Sequence, residues 1–334
     1  MTDALARGWL LAWIAFGAAP AGSLVLLLIH RITGGRWGEA LAPVLRPTAA
    51  LLPLVALGFL GVVMALPALY PWAGGPWAGG SWAGGSWAAD PGTVKPDVAS
   101  LYLNPVLFGA RGAVALLGWS VLAVLVLAGR CTRLVAGLGL VVYGLTISLV
   151  PVDWILSLEP RFTSSAFGAG IALHQVLAAL ALAAVASPRG LDETTAPDLA
   201  NLLLATLLGV LYIGLMSYVV AWYGDLPPKA AYYLRREAVP YPAVIGASIG
   251  VGGIVPFLLL LLGAVRRSPG ALRLVGLLVL VGLALRFAWL VLPAWGEAAG
   301  GAAAAAGLWL VGLIAVALLA LRLAGRFGGR LRDA

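Results

Sequence analysis

Residues 9–29 read WLLAWIAFGAAPAGSLVLLLI, and residues 30–36 after them read HRITGGR. The run holds 21 residues with no charged side chain. At roughly 1.5 Å per residue such a helix matches the roughly 30 Å of hydrocarbon in a bilayer. Only Arg7 stands shortly before it, whereas Arg31 and Arg36 come after it. A secretory signal is shorter and carries its basic residues in front, so the small-residue triplet Ala19-Pro20-Ala21 is not read as a cleavage site. The run reads instead as a retained transmembrane helix.

Composition extends this reading to the whole chain. Of 334 residues, 62% are hydrophobic and only 10% charged. A soluble fold has too little polar surface to cover that much apolar material. Eight further apolar runs come after the first, at about 48–69, 106–128, 134–150, 166–186, 199–222, 243–265, 272–292 and 303–323. They are about twice as long as a barrel strand and do not alternate, so an all-α transmembrane bundle of about nine helices is expected. Residues 1–334 then form a single integral membrane domain, with 70–104 as its longest connection.

Charge placement orients the bundle. The connections after the first, third, fifth and seventh helices and the C-terminal segment together carry 13 of the 21 basic residues, whereas the opposite side carries seven. By the positive-inside rule the N-terminus lies outside and the C-terminus in the cytoplasm. The expected location is a bacterial inner membrane. The net charge of +8 is then mainly topological. With no basic cluster interleaved with exposed aromatics, nucleic acid is not an expected partner.

Scarcity of metal-ligating side chains narrows the chemistry. The single Cys131 cannot ligate an iron–sulfur cluster or attach haem through a Cys-x-x-Cys-His motif. The two histidines, His30 and His174, fall at different depths and cannot clamp one haem iron. No Walker-type Gly-x-x-x-x-Gly-Lys segment occurs. The chain is expected to bind no cofactor of its own.

Within the 70–104 connection, PWAGG-PWAGG-SWAGG-SWAAD places Trp72, Trp77, Trp82 and Trp87 five residues apart, a period of neither helix nor strand. A flexible Gly-rich insertion with indoles in the headgroup layer is the plainer reading, and a docking surface the other. Gly246 and Gly250 make a Gly-x-x-x-Gly that would let helices approach closely.

Three outside-facing segments are unusually polar and aromatic. They are YLNP at 102–105, with Phe108 and Arg111 after it; VDWILSLEPRFTSS at 152–165; and WYGDLP at 222–227, with YYLRR after it at 232–236. Taken singly, Asp153 and Trp154 close a helix and Ser164 or Ser165 caps the next. Trp222 and Tyr223 sit at headgroup level, while Arg235 and Arg236 could bind lipid phosphate or an acidic partner.

Taken together, in this order, the segments resemble one of the membrane-embedded subunits of alternative complex III, a bacterial quinol:cytochrome c oxidoreductase, in the family distantly similar to NrfD/PsrC-type membrane proteins. The similarity runs from about Tyr102 to Pro293. It implies a cofactor-free helical subunit beside an NrfD-like sister subunit, an iron–sulfur subunit and c-type cytochromes. Haem c and iron–sulfur clusters would belong to those partners, and a quinone site on this chain stays open. The resemblance marks Trp154, Ser157, Glu159, Trp222, Tyr223, Asp225, Arg235 and Arg236 as motif or interface residues. It also leads to an expected tenth helix, and an acidic residue near Arg286 that this chain lacks.

Ionisable groups inside a membrane usually face an interior or a wet cavity. Asp153, His174 and Arg286 are the candidates. On one continuous helix Tyr143, Thr146 and Asp153 would share a face about 80° wide, pointing a polar stripe toward His174. That set could relay protons in a half-channel, or His174 could make one structural hydrogen bond while Arg286 snorkels. The leading function is thus an accessory membrane subunit of a quinol-oxidising complex. A secondary transporter and a purely structural anchor are the rivals. No inverted repeat or pair of broken helices favours transport.

Overall fold

The computed structural model describes residues 2–73, 102–160, 162–186, 191–192, 194–224 and 227–330, and every regular element among them is helical. Eight helical stretches are long and apolar enough to cross a membrane. The first, α1 (Asp3–Thr33), is also the most enclosed, with 72% of its apolar window buried. Gly34 and Gly35, at φ 70° and 101°, end it and turn the chain.

The connection beyond this turn is itself helical. Residues 36–49 form an amphipathic helix, α2 (Arg36–Ala49), that buries Gly38, Leu41, Leu45 and Thr48 at helical spacing. Arginines and two prolines depress hydropathy here, while the 3.6-residue period survives them. The chain continues into α3 (Leu52–Met64), the single turn α4 (Leu66–Leu69) and a 3-10 turn at Pro71–Ala73. Trp72 is buried against Tyr70 and Phe108 rather than lying in a headgroup layer. Trp77, Trp82 and Trp87 lie outside the described residues.

The side chain of Asn104 accepts from the N–H groups of Val106 and Leu107 to start α5 (Pro105–Leu127). Thr132 caps α6 (Arg133–Ile147) in the same way. The expected fourth helix then breaks. Pro151 has no N–H to offer the carbonyl of Ile147, so the chain restarts as α7 (Val150–Trp154) and tightens into a 3-10 turn at Leu156–Leu158. Next comes α8 (Phe167–Ala186), whose first N–H, on Phe167, bonds to the Ser164 carbonyl and not to a serine hydroxyl.

The second half comprises α9 (Ala196–Gly224), α10 (Pro227–Leu234) and α11 (Tyr241–Ile249). A π-helical turn at Gly250–Ile254 leads to α12 (Val255–Leu261) and then α13 (Gly263–Arg267). Last are α14 (Pro269–Val291) and α15 (Ala299–Arg330). The final apolar stretch, Pro269–Arg322, is 54 residues long and reverses between these two helices. Gly296, at φ 55°, makes the reversal in a left-handed conformation that side chains disfavour.

Small residues set the helix contacts. A Cβ on Gly22 of α1 would lie 1.8 Å from the Gln175 carbonyl oxygen of α8, so the two backbones touch. Gly252 and Gly282 approach equally closely, joining the π turn to α14, and Ser248 donates to the Gly282 carbonyl at 2.8 Å beside them. Gly246 and Gly250, the expected close-packing pair, meet nothing within 4 Å. The π turn moves the contact two residues along the chain. His174 and Ala181 of α8 lie against Phe287 and Gly276 of α14, so those helices are antiparallel. Ala4 and Gly8 of α1 lie against Gly301 and Ala305, so α15 runs parallel to α1.

Candidate functional site

The end of the bundle where α1 begins, here the upper end, gathers the polar segments. Arg111 of α5 holds Asp153 in a two-pronged ion pair, Nε to Oδ2 at 2.7 Å and Nη2 to Oδ1 at 2.8 Å. Its Nη2 also donates to the Tyr102 carbonyl at 2.9 Å, and the guanidinium lies 4.2 Å from the Tyr102 ring centre. Asp153 is 1% exposed. Parallel N–H···O bonds of this kind are among the strongest that side chains make. Ser157 donates to the Asp153 carbonyl, and the Tyr70 hydroxyl donates to the Trp154 carbonyl at 3.0 Å. The Trp154 ring itself packs into Trp13, Phe59 and Trp119.

A second buried pair lies alongside. Arg236 donates from both terminal nitrogens to Glu159, each at 3.0 Å. It also reaches the carbonyls of Tyr232 (2.9 Å), Trp289 (3.3 Å) and Leu290 (3.3 Å), with its guanidinium 3.5 Å from the Tyr232 ring centre. One side chain thereby ties the turn after α7, the end of α10 and the end of α14. Phe162 stacks on Tyr232 at 3.8 Å. Arg236 is therefore not a surface cation for lipid or partner. Arg235 remains half-exposed and contacts Glu159 at 3.7 Å.

These enclosures perturb the nearby phenols. Burial, and then the Asp153 charge, raise Tyr102 to about 12, while burial raises Tyr232 to about 12. Burial likewise lifts Tyr70 well above its ordinary value. All three are neutral groups at physiological pH.

The polar stripe is rearranged. Because α6 ends at Ile147, Asp153 lies on a separate helix from Tyr143 and Thr146. Tyr143 donates to Gln175 at 2.6 Å, and Thr146 accepts from Trp119 at 2.9 Å. His174 Nδ1 contacts the Gly170 carbonyl at 2.5 Å and its ring faces Phe287. Among the described residues no hydrogen bond joins Asp153, Tyr143 and His174.

His174 and Arg286 instead line a cavity of about 970 Å³ between α8, α9, α11 and α14. Trp222, 69% exposed, stands on its rim, while Tyr223, 83% exposed, faces away from the protein. Asp225 lies outside the described residues. Arg111, Tyr102 and the cavity were not singled out as sites from the sequence. The first two were legible as members of the 102–111 motif. The cavity had no local signal in the sequence, because its lining comes from helices far apart along the chain. Among the described residues no group of three His, Cys, Asp or Glu side chains is placed to hold a metal ion. No protein-family model matches this chain, and no curated protein matches it either.

Proposed function

We propose that this chain is a multi-pass inner-membrane subunit of a quinol-oxidising respiratory complex, with the electron-carrying groups on partner chains. The observation that supports the reading is convergence. The three segments similar to the alternative complex III subunit are separated along the chain by whole helices. They meet at one end of the bundle through the Arg111–Asp153 and Arg236–Glu159 pairs. Two buried ion pairs that only hold loops together are a weak source of stability. They do keep a loop surface in one shape, as a docking face for extramembrane subunits requires.

In this reading the chain crosses nine times. The 54-residue final stretch would measure roughly 81 Å as one straight helix, more than twice the hydrocarbon thickness, so α14 and α15 are separate passes. The upper end faces outside, with an NrfD-like sister subunit, an iron–sulfur subunit and c-type cytochromes next to it. Asp153 is then a structural anion and not the mouth of a proton path.

The test is affinity purification of the tagged chain in mild detergent, with a native gel then stained for haem. A haem-positive, iron-containing assembly that reduces an acceptor with quinol is expected. A colourless protein migrating at its own mass after gentle extraction refutes the proposal and moves transport to first place.

A further inference from the structure

The cavity at Arg286 carries an inference that does not rest on the respiratory reading. Arg286 lies five residues before the end of α14, roughly 7.5 Å below it at 1.5 Å per residue. Its guanidinium stands 4.7 Å from the Trp289 ring centre. Among the described residues it has no carboxylate, hydroxyl or carbonyl partner, so its five N–H donors are unmatched and its charge meets only the face of the Trp289 ring. The neighbouring cation, Arg236, is already neutralised by Glu159. Glu237 lies on the cavity rim but makes no ion pair with Arg286. An unpaired cation at membrane depth is costly unless an anion joins it.

The rest of the cavity is apolar. Leu177, Leu207, Leu211, Ile245 and Leu283 line it. It opens sideways, because its rim residues Leu215, Ile249 and Ile254 are exposed on the faces α9 and the α11–α12 segment turn outward. Its about 970 Å³ is at the upper end of the roughly 300–1,000 Å³ usual for ligand sites. A Cβ built on Gly214, which lines the cavity, meets nothing within 4 Å.

We propose that this cavity binds an anionic phospholipid from the leaflet at the upper end, its phosphate on Arg286 and an acyl chain along the groove between α9 and α11. Charge complementarity selects the head, and the sideways opening admits the tail. A free phosphate ion finds no use for the apolar walls, and a neutral amphiphile leaves Arg286 uncompensated.

The full chain, purified in mild detergent, is offered equal amounts of phosphatidylglycerol and of diacylglycerol with identical acyl chains, which lacks the phosphate, and bound lipid is counted by native mass spectrometry. One phosphatidylglycerol per chain is expected, preferred by about tenfold or more, as a charge-assisted contact predicts. An excess of inorganic phosphate leaves it in place. Arg286→Gln abolishes the preference, whereas Arg286→Lys retains it. Gly214→Phe projects into open space, so it leaves the fold intact and expels both lipids. That variant keeps the test decisive should Arg286→Gln fail to fold. Equal retention of the two lipids, preferential retention of an added isoprenoid quinone, displacement by phosphate, or binding unchanged by Gly214→Phe would each overturn the proposal.

Discussion

Replacing Glu159 by glutamine isolates the charge of the deeper ion pair while keeping its shape. Glu159 and Arg236 are 7% and 3% exposed, and the pair is joined by two bonds of 3.0 Å. Removing one member of such a pair leaves an uncompensated buried charge, at a cost of about 3–5 kcal/mol. Glutamine still presents one carbonyl oxygen, and Arg236 keeps its bonds to the Tyr232, Trp289 and Leu290 carbonyls. The loss therefore belongs at the lower end, about 3 kcal/mol, with Glu159→Ala nearer about 5 kcal/mol. Removing both charges in Glu159→Met/Arg236→Met should recover at least about 1 kcal/mol relative to the worse single variant, because no lone charge remains. The assay is unfolding in mixed micelles by detergent titration, monitored by tryptophan fluorescence. A loss for Glu159→Gln under about 0.5 kcal/mol would equal that of an exposed pair and refute the reasoning.

Other outcomes rest on the same geometry. Asp153→Asn should destabilise by about 3 kcal/mol in that assay and free the Tyr102 segment, read as faster proteolysis before α5. Gly282→Ala puts a Cβ 2.2 Å from the Gly252 Cα and should cost about 1–3 kcal/mol. Gly214→Ala meets nothing and should stabilise α9 by about 0.5–1 kcal/mol, so similar effects for the two would contradict the packing described. Asp192 accepts from the backbone and hydroxyls of Thr194 and Thr195, which lowers it to about 2. Its folded value lies below an unfolded value near about 4. The turn it supports should therefore be intact above about pH 4 and lost as pH falls toward about 2. Amide exchange at Thr194 and Thr195 measures this, and Asp192→Asn should flatten the profile.

The membrane character was legible because hydropathy and length are local quantities. A 21-residue uncharged run needs no partner to be recognised. The amphipathic α2 was less so, since its mean hydropathy hid a helical period that only packing on α1 makes useful. The break after Ile147 was local too, written in Pro151, yet the polar stripe assumed a continuous helix across it. For Arg235 and Arg236, the sequence could not say which was buried, because adjacent positions on a helix end face directions about 100° apart. The neighbour that decides is Glu159, 77 residues away.

Read alone, then, the amino-acid sequence determined that this chain is a bundle of membrane-length helices and which three segments between them are unusually polar and aromatic. It did so because burial in lipid and turn formation depend on neighbours a few positions away. Tertiary structure decided which charges are matched. Pairing depends on which helices touch, and close approach at Gly22 and at Gly252–Gly282 sets that. The outcome places Asp153 and Glu159 in the grip of arginines and leaves Arg286, among the described residues, facing an open apolar cavity without an anion.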